Sequence, residues 1–331
     1  MNEALRELVE AADLNALLRA VDGLCARRSW DEMIDLAEAC EDAVERGKQL
    51  WPIAAHIDYR VALEGPGEVV AEVLRPDVGR FAAGPLTEVA ASTHSWEEMA
   101  PYVDTPQVAA YLAQERVQRG EVLDGDERAH QEVLELPLHI EEWEPTYALA
   151  KFLPFDVEVA EPWEPVSPLT PVDPDGRIEL LDESEITTGL LDLVTPWTNE
   201  SNGAAQAVVV EGDAVRACTH LGGPLLRMGP LEPAEALQRM AWAAASGGAH
   251  GRRRGSALGR FMAWYTTALL TDSAWPSEPA ELGRRAGELK WFRWDEGETE
   301  KGWVLRLAVE DPRNGWAAAL AATDLLEDEE N

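Results

Sequence analysis

The residues most able to do chemistry lie between Gly247 and Arg260. Arg252, Arg253, Arg254 and Arg260 gather four of the chain's 28 Lys and Arg side chains into nine residues of a protein whose net charge is -34. His250 and Ser256 stand among them, and Gly247, Gly248, Gly251, Gly255 and Gly259 punctuate the run. Two backbone conformations give this segment two different uses. In a loop ending at Gly255, Ser256 caps the next helix, and the N–H groups and positive dipole of that helix join the three consecutive arginines in a site for a phosphate-like anion. In a helix, the glycines at every fourth position form a smooth stripe that lets a neighbouring helix approach closely. Each glycine in a helix interior costs about 1 kcal/mol, so a loop between two helices is expected. The candidate anion- or ligand-binding residues are therefore His250, Arg252, Arg253, Arg254, Ser256 and Arg260. The structural alternative pairs these arginines with the chain's own carboxylates.

No other pattern amounts to a catalytic signature. There is no Walker loop, no Gly-x-Gly-x-x-Gly after a strand and no Gly-x-Ser-x-Gly elbow. Ser246 before Gly247 and Gly248 has the look of a nucleophile turn, but no base is identifiable beside it. His56, His94, His130, His139, His220 and His250 show neither a His-Glu-x-x-His nor a His-x-His spacing, so no metal site is legible and no cofactor is expected. Asp173, Asp175 and Gly176 match part of a calcium loop, yet Pro171 stands where the first ligand belongs and prolines replace the entering helix.

Charge sorts the partners. With 62 Asp and Glu against 28 Lys and Arg, the field repels DNA, RNA and anionic membrane surfaces, whose binding rests on neutralising phosphate. An acidic surface that imitates nucleic acid toward a basic partner is a lesser alternative to simple solubility. At 331 residues and 46% hydrophobic content, the chain is long enough for two folded domains. Its opening residues lack the basic head and apolar core of a signal peptide, and no stretch reaches the roughly 18 apolar residues of a membrane span. A cytoplasmic location without a membrane partner is expected. Cys25, Cys40 and Cys218 are odd in number and widely spaced, which fits reduced, buried thiols.

The elements that must position the candidate site follow from periodicity. Leu14, Leu17, Leu18, Val21, Leu24 and Cys25 trace one face of a helix that Asp13 can cap. Ser29 with Glu32, and Ser95 with Glu98, have the spacing of capping boxes, while Pro52 and Pro106 suit first turns. These are helical hairpins packed in sequence. From residue 153 to 176 recurrent prolines forbid a continuous helix and favour an extended linker. Beyond it, residues 207–217 read as two strands about Gly212-Asp213, and 291–294 with 303–309 as a hairpin. Pro233 opens one helix, Leu258 to Leu269 trace another, and Trp316 to Leu326 are expected as a last helix before an acidic tail. The class is α+β and predominantly helical: a helical domain over 1–152, a Pro-rich linker over 153–176, an α+β domain over 177–326 and a tail over 327–331.

In three stretches, Ala241 to Gly255, Gly259 to Trp264 and Leu307 to Pro312, the chain resembles a group of acidic actinobacterial proteins of unknown function. The resemblance covers mainly residues 205–325; it implies a bacterial source and carries no activity to transfer. Large helical surfaces and 13 tryptophans without a catalytic set suit a non-catalytic protein-interaction or regulatory role with a protein partner. The alternative is an enzyme or sensor holding a phosphate-bearing small molecule at 247–260.

The charge generates a first prediction: in gel-shift or filter-binding assays at physiological salt, neither DNA nor RNA is retained. Micromolar, salt-sensitive retention would contradict it.

Overall fold

The computed structural model describes residues 1–74, 84–159, 161–162, 164–165, 167–173, 178–222, 225–297 and 302–325. The acidic tail at 327–331, and Trp163, Pro174, Asp175 and Gly176 of the Pro-rich segment, lie outside the described residues. The fold is α+β and mostly helical. The chain divides into two compact units, and not by a single cut: Met1–Leu134 with Ala150–Val159, and Glu135–Leu149 with Ala160–Asn331.

The first unit holds α1 (Glu3–Ala11), α2 (Leu14–Arg27), α3 (Trp30–Glu45), α4 (Trp51–Glu64), α5 (Gly67–Val73), α6 (Leu86–Thr93), α7 (Trp96–Met99) and α8 (Pro106–Gln118). Leu17, Val21, Leu24 and Cys25 form the buried stripe of α2, and Met33, Leu36, Ala37 and Cys40 that of α3. Both stripes close on α4, which is buried along most of its length and packs in turn on α6. The Asp13 side chain caps α2 by accepting from the Ala16 N–H, and Ser95 with Glu98 forms a complete capping box at α7. The expected box at Ser29 does not form: its side chain makes no capping bond, and Glu32 accepts instead from the Asn2 amide at 3.4 Å. A short antiparallel hairpin, β1 (Lys151–Leu153) and β2 (Asp156–Glu158), completes the unit. The Tyr59 hydroxyl of α4 donates to the Leu153 carbonyl at 2.5 Å and fixes the hairpin over that helix.

In the second unit, β3 (Thr170–Pro171), β5 (Arg227–Leu231), β6 (Lys290–Asp295), β7 (Trp303–Asp311), β8 (Trp316–Asp324) and β4 (Ala204–Glu211) lie side by side in that order, all antiparallel. Around them stand α9 (Ser184–Asp192), α10 (Thr195–Asn199), α11 (Ala214–Leu221), α12 (Pro233–Ala245), α13 (Ser256–Leu270) and α14 (Pro279–Ala286). Period-2 alternation sends Trp294, Ala308, Ala317 and Ala319 toward Ala214, Ala217 and Cys218 of α11. The alternate residues Trp291, Leu307, Val309, Ala318 and Leu320 are equally buried on the face against which α12 packs.

Residues 316–324 form a strand and not a helix. Their alanines favour a helix in isolation, but this segment is paired along both edges, with β7 over 316–324 and with β4 over 316–323, and small side chains suit a strand covered on both faces. Residues 214–217 begin α11 and are not a second strand: Asp213 accepts from the Arg216 N–H as a helix cap, and the preceding Gly212 sits at φ +116°.

The sheet generates a second prediction. Leu320 is buried and faces Ala207 on one neighbour and Leu307 on the other, so Leu320→Ala lowers the stability of this unit by about 2–5 kcal/mol in denaturant titration. A loss under about 1 kcal/mol would contradict the strand placement.

Candidate functional site

The chain leaves α12 at Ala245 and re-enters a helix at Ser256, so the Gly/Arg segment between them is a loop. Gly248 and Gly255 adopt φ +72° and +93°, which side chains with a Cβ disfavour. Gly255 occupies the cap position, and the expected capping role of Ser256 is not observed: it is the first helical residue, buried, and no side chain caps α13. Gly259 answers to the packing use of the glycines, because a Cβ there would strike the Ala241 carbonyl and Ala245 on α12.

Several amide groups of this loop are turned toward the protein. Ala249 N–H donates to the buried Asp324 carboxylate at 2.6 Å, His250 N–H to the Ser201 hydroxyl at 3.1 Å and Arg252 N–H to Glu200 at 3.2 Å. The Ala245 carbonyl accepts from Arg254 and Gly255. Ser246, the residue that looked like a nucleophile turn, accepts at Oγ from the Trp197 indole at 3.0 Å and from Gly248 N–H at 3.1 Å. His250 and Arg252 are exposed, while Arg253 and Arg254 are half-buried.

Arg260 does not join them. Its guanidinium is fully buried and forms a two-pronged pair with Glu144, Nε to Oε2 at 2.8 Å and Nη2 to Oε1 at 2.6 Å. Nη1 and Nη2 also donate to the carbonyls of Pro137 and His139 at 2.9 and 2.8 Å. Glu144 further accepts from the Tyr147 hydroxyl at 2.5 Å and the Trp264 indole at 2.9 Å. Burial by itself would push the Glu144 carboxyl up, but the Arg260 charge and these donors outweigh it and hold the group below the usual carboxylate range. Sequence reading missed Glu144, since a single Glu in an acidic chain carries no spacing signal.

A second place, not anticipated from the sequence, lies in the helical unit. An open cleft of about 580 Å³ is lined by Leu18 of α2, by Trp51, Ala55, His56 and Tyr59 of α4, and by the hairpin turn at Phe155 and Asp156. Phe155 is 69% exposed and Trp51 40%, high values for large apolar side chains that share one concavity. The Phe155 ring stacks on His56 with centroids 5.7 Å apart and planes inclined by 22°. Burial, with Arg60 next in effect, holds His56 below its ordinary value, so the imidazole is neutral at pH 7. Burial pushes the Tyr59 phenol up to about 12, leaving it a hydrogen-bond donor to the hairpin. The signal in the sequence was a Trp-Pro start to α4 with His56 and Tyr59 downstream, but nothing local placed Phe155 beside them.

Among the described residues, no helix is long and apolar enough to cross a membrane, and no group of three or more His, Cys, Asp or Glu could hold a metal ion. A family model described as a family of unknown function (DUF6183) matches residues 15–325. No curated protein and no solved structure matches the chain.

The buried pair generates a third prediction. Arg260→Met strands the Glu144 charge and costs about 3–5 kcal/mol in denaturant titration, whereas Arg260→Met with Glu144→Gln, which removes the charge and keeps an acceptor for Tyr147 and Trp264, recovers part of the loss. Because the folded-state pKa of Glu144 is depressed, its contribution is complete above the ordinary Glu value of about 4.3 and fades as pH falls through the lower folded value. The double variant should therefore lose less stability than wild type on acidification below that value. Equal acid sensitivity of the two proteins, or a single-variant loss under about 1 kcal/mol, would contradict the pairing.

Proposed function

The chain belongs to this family of unknown function, and we propose that it is a non-catalytic protein-interaction or regulatory component that receives a partner protein at the aromatic cleft of its helical unit. The observation that carries the reading is the exposure of Trp51 and Phe155 within one cleft, since exposed aromatic side chains in a concavity are the usual anchors of recognition. The alternative, a phosphate-bearing ligand at 247–260, has less support. The loop amides of Gly248, Ala249, His250, Arg252, Arg254 and Gly255 already donate to protein acceptors, and Arg260 is committed to Glu144. The reading includes a reducing, cytoplasmic setting, which suits the three buried, unpaired cysteines. Burial pushes Cys25 and Cys40 up to about 11, so both are thiols at neutral pH and poor nucleophiles.

Site-specific photo-crosslinking in cells tests the reading. A photoreactive phenylalanine derivative in place of Phe155, which keeps an aromatic ring there, should capture a discrete protein, and capture should fail when Trp51→Ala is added. The same residue in place of Val122, equally exposed at 69% in the same unit, should capture none. No adduct at position 155, or the same adducts at both positions, would overturn the proposal.

A further inference from the structure

The Phe155 ring already carries a guanidinium. The Cζ atom of Arg60 lies 5.2 Å from the ring centroid, within the range of a cation–π contact. Arg60 and His56 stand one turn apart on α4 and both meet this ring, yet Phe155 remains 69% exposed, so much of its surface is open to a second flat group. The charge of Arg60 is answered by Asp22 at 2.7 Å and Glu64 at 2.6 Å. Exposed Asp156 supplies a carboxylate on the cleft wall itself, and the Arg60 cluster behind Phe155 holds two carboxylates to one guanidinium. On the neighbouring α3, Asp31, Asp35, Glu38, Glu41, Asp42 and Glu45 are all exposed, in a chain of net charge -34.

We propose that the cleft accepts an arginine side chain from a basic peptide segment of a partner protein, an inference that rests on reading the cleft as a binding site. The guanidinium lies against the open surface of Phe155 and the edge of Trp51 and donates to the Asp156 carboxylate. Its methylene stem runs over Leu18, Pro52 and Ala55. A flat, weakly hydrated guanidinium suits these rings better than a compact ammonium does, so lysine is a poor substitute. An anionic or phosphate-bearing ligand would meet the Asp156 carboxylate on the cleft wall, and a purely apolar segment would offer no donor to that carboxylate, whose Oδ1 accepts, among the described residues, only from the local Val157 N–H at 2.8 Å. The acidic face of α3 contributes long-range attraction for the rest of a basic segment and speeds its arrival.

Isothermal titration of the full chain at physiological salt tests the proposal with a capped peptide of alternating arginine and serine. Matched lysine–serine and citrulline–serine peptides serve as comparisons. The arginine peptide should bind about tenfold more tightly than the lysine peptide, and the citrulline peptide should give no heat of binding. Phe155→Ala and Trp51→Ala should each weaken the arginine peptide by about tenfold in protein whose retained helical fold is checked by circular dichroism. Glu38→Gln on α3 should leave the affinity within about twofold, as expected for a charge that only steers. Equal affinity for the arginine and lysine peptides, unchanged by Phe155→Ala, would show diffuse attraction to an acidic surface and overturn the proposal. Absence of arginine-peptide binding would also overturn it; crosslinking at position 155 that persisted would then keep the cleft as a binding site for another chemistry, and its loss would remove both.

Discussion

A guanidinium withdrawn wholly from water must find every one of its partners inside the protein, and Arg260 sets that condition for the second unit. Its answer is Glu144 together with the carbonyls of Pro137 and His139. All three lie on the segment Glu135–Leu149, which belongs with the sheet and its helices although it precedes the hairpin of the helical unit in sequence. The same carboxylate is shared by Tyr147 and Trp264, and Trp143 packs on Trp264 with ring centroids 4.9 Å apart. The desolvation of two charges is offset only because nearly all their hydrogen-bonding capacity is met. α13 is thereby held in place, and Gly259 one position earlier lets α12 approach it closely.

This constraint decides what the Gly/Arg loop is able to do. A loop ending at a helix start offers N–H groups to an anion only if they are not already donating. Here Asp324, Ser201, Glu200 and the Ala245 carbonyl take up the amides of Ala249, His250, Arg252, Arg254 and Gly255. In a chain so rich in carboxylates, basic and donor groups are readily drawn into internal pairs. The helical unit presents the opposite case. Its hairpin is fixed to α4 by Tyr59, yet it holds Phe155 out beside Trp51 where their apolar surface meets solvent. Exposed aromatic area carries a standing hydrophobic cost, which a bound partner would relieve.

Much of the fold was legible from local pattern. The stripes of α2, α3 and α13, the first-turn prolines of α4 and α8 and the capping box of α7 are each written in residues a few positions apart. What local pattern does not contain is the environment. The run from Trp316 to Asp324 is helical by composition and becomes a strand because two neighbouring strands and two covered faces demand it. Asp213 suits a turn by residue type and serves as a helix cap, a choice that depends on where the next apolar residues point. At the candidate sites the loop conformation followed from glycine cost, but Arg260 was grouped with its sequence neighbours because its partner lies 116 residues away. Trp51 and Phe155 are about as remote from one another, and only folding brings them to one cleft.

The central claim is that recognition takes place at the cleft of the helical unit and not at the Gly/Arg loop. Hydrogen–deuterium exchange of the full chain, measured alone, with the arginine–serine peptide and with inorganic phosphate, tests it most directly. The account predicts slower exchange at 51–60 and 153–157 with the peptide, and no change at 247–260 with either addition. Protection at 247–260 by phosphate, with none at the cleft from the peptide, would contradict it.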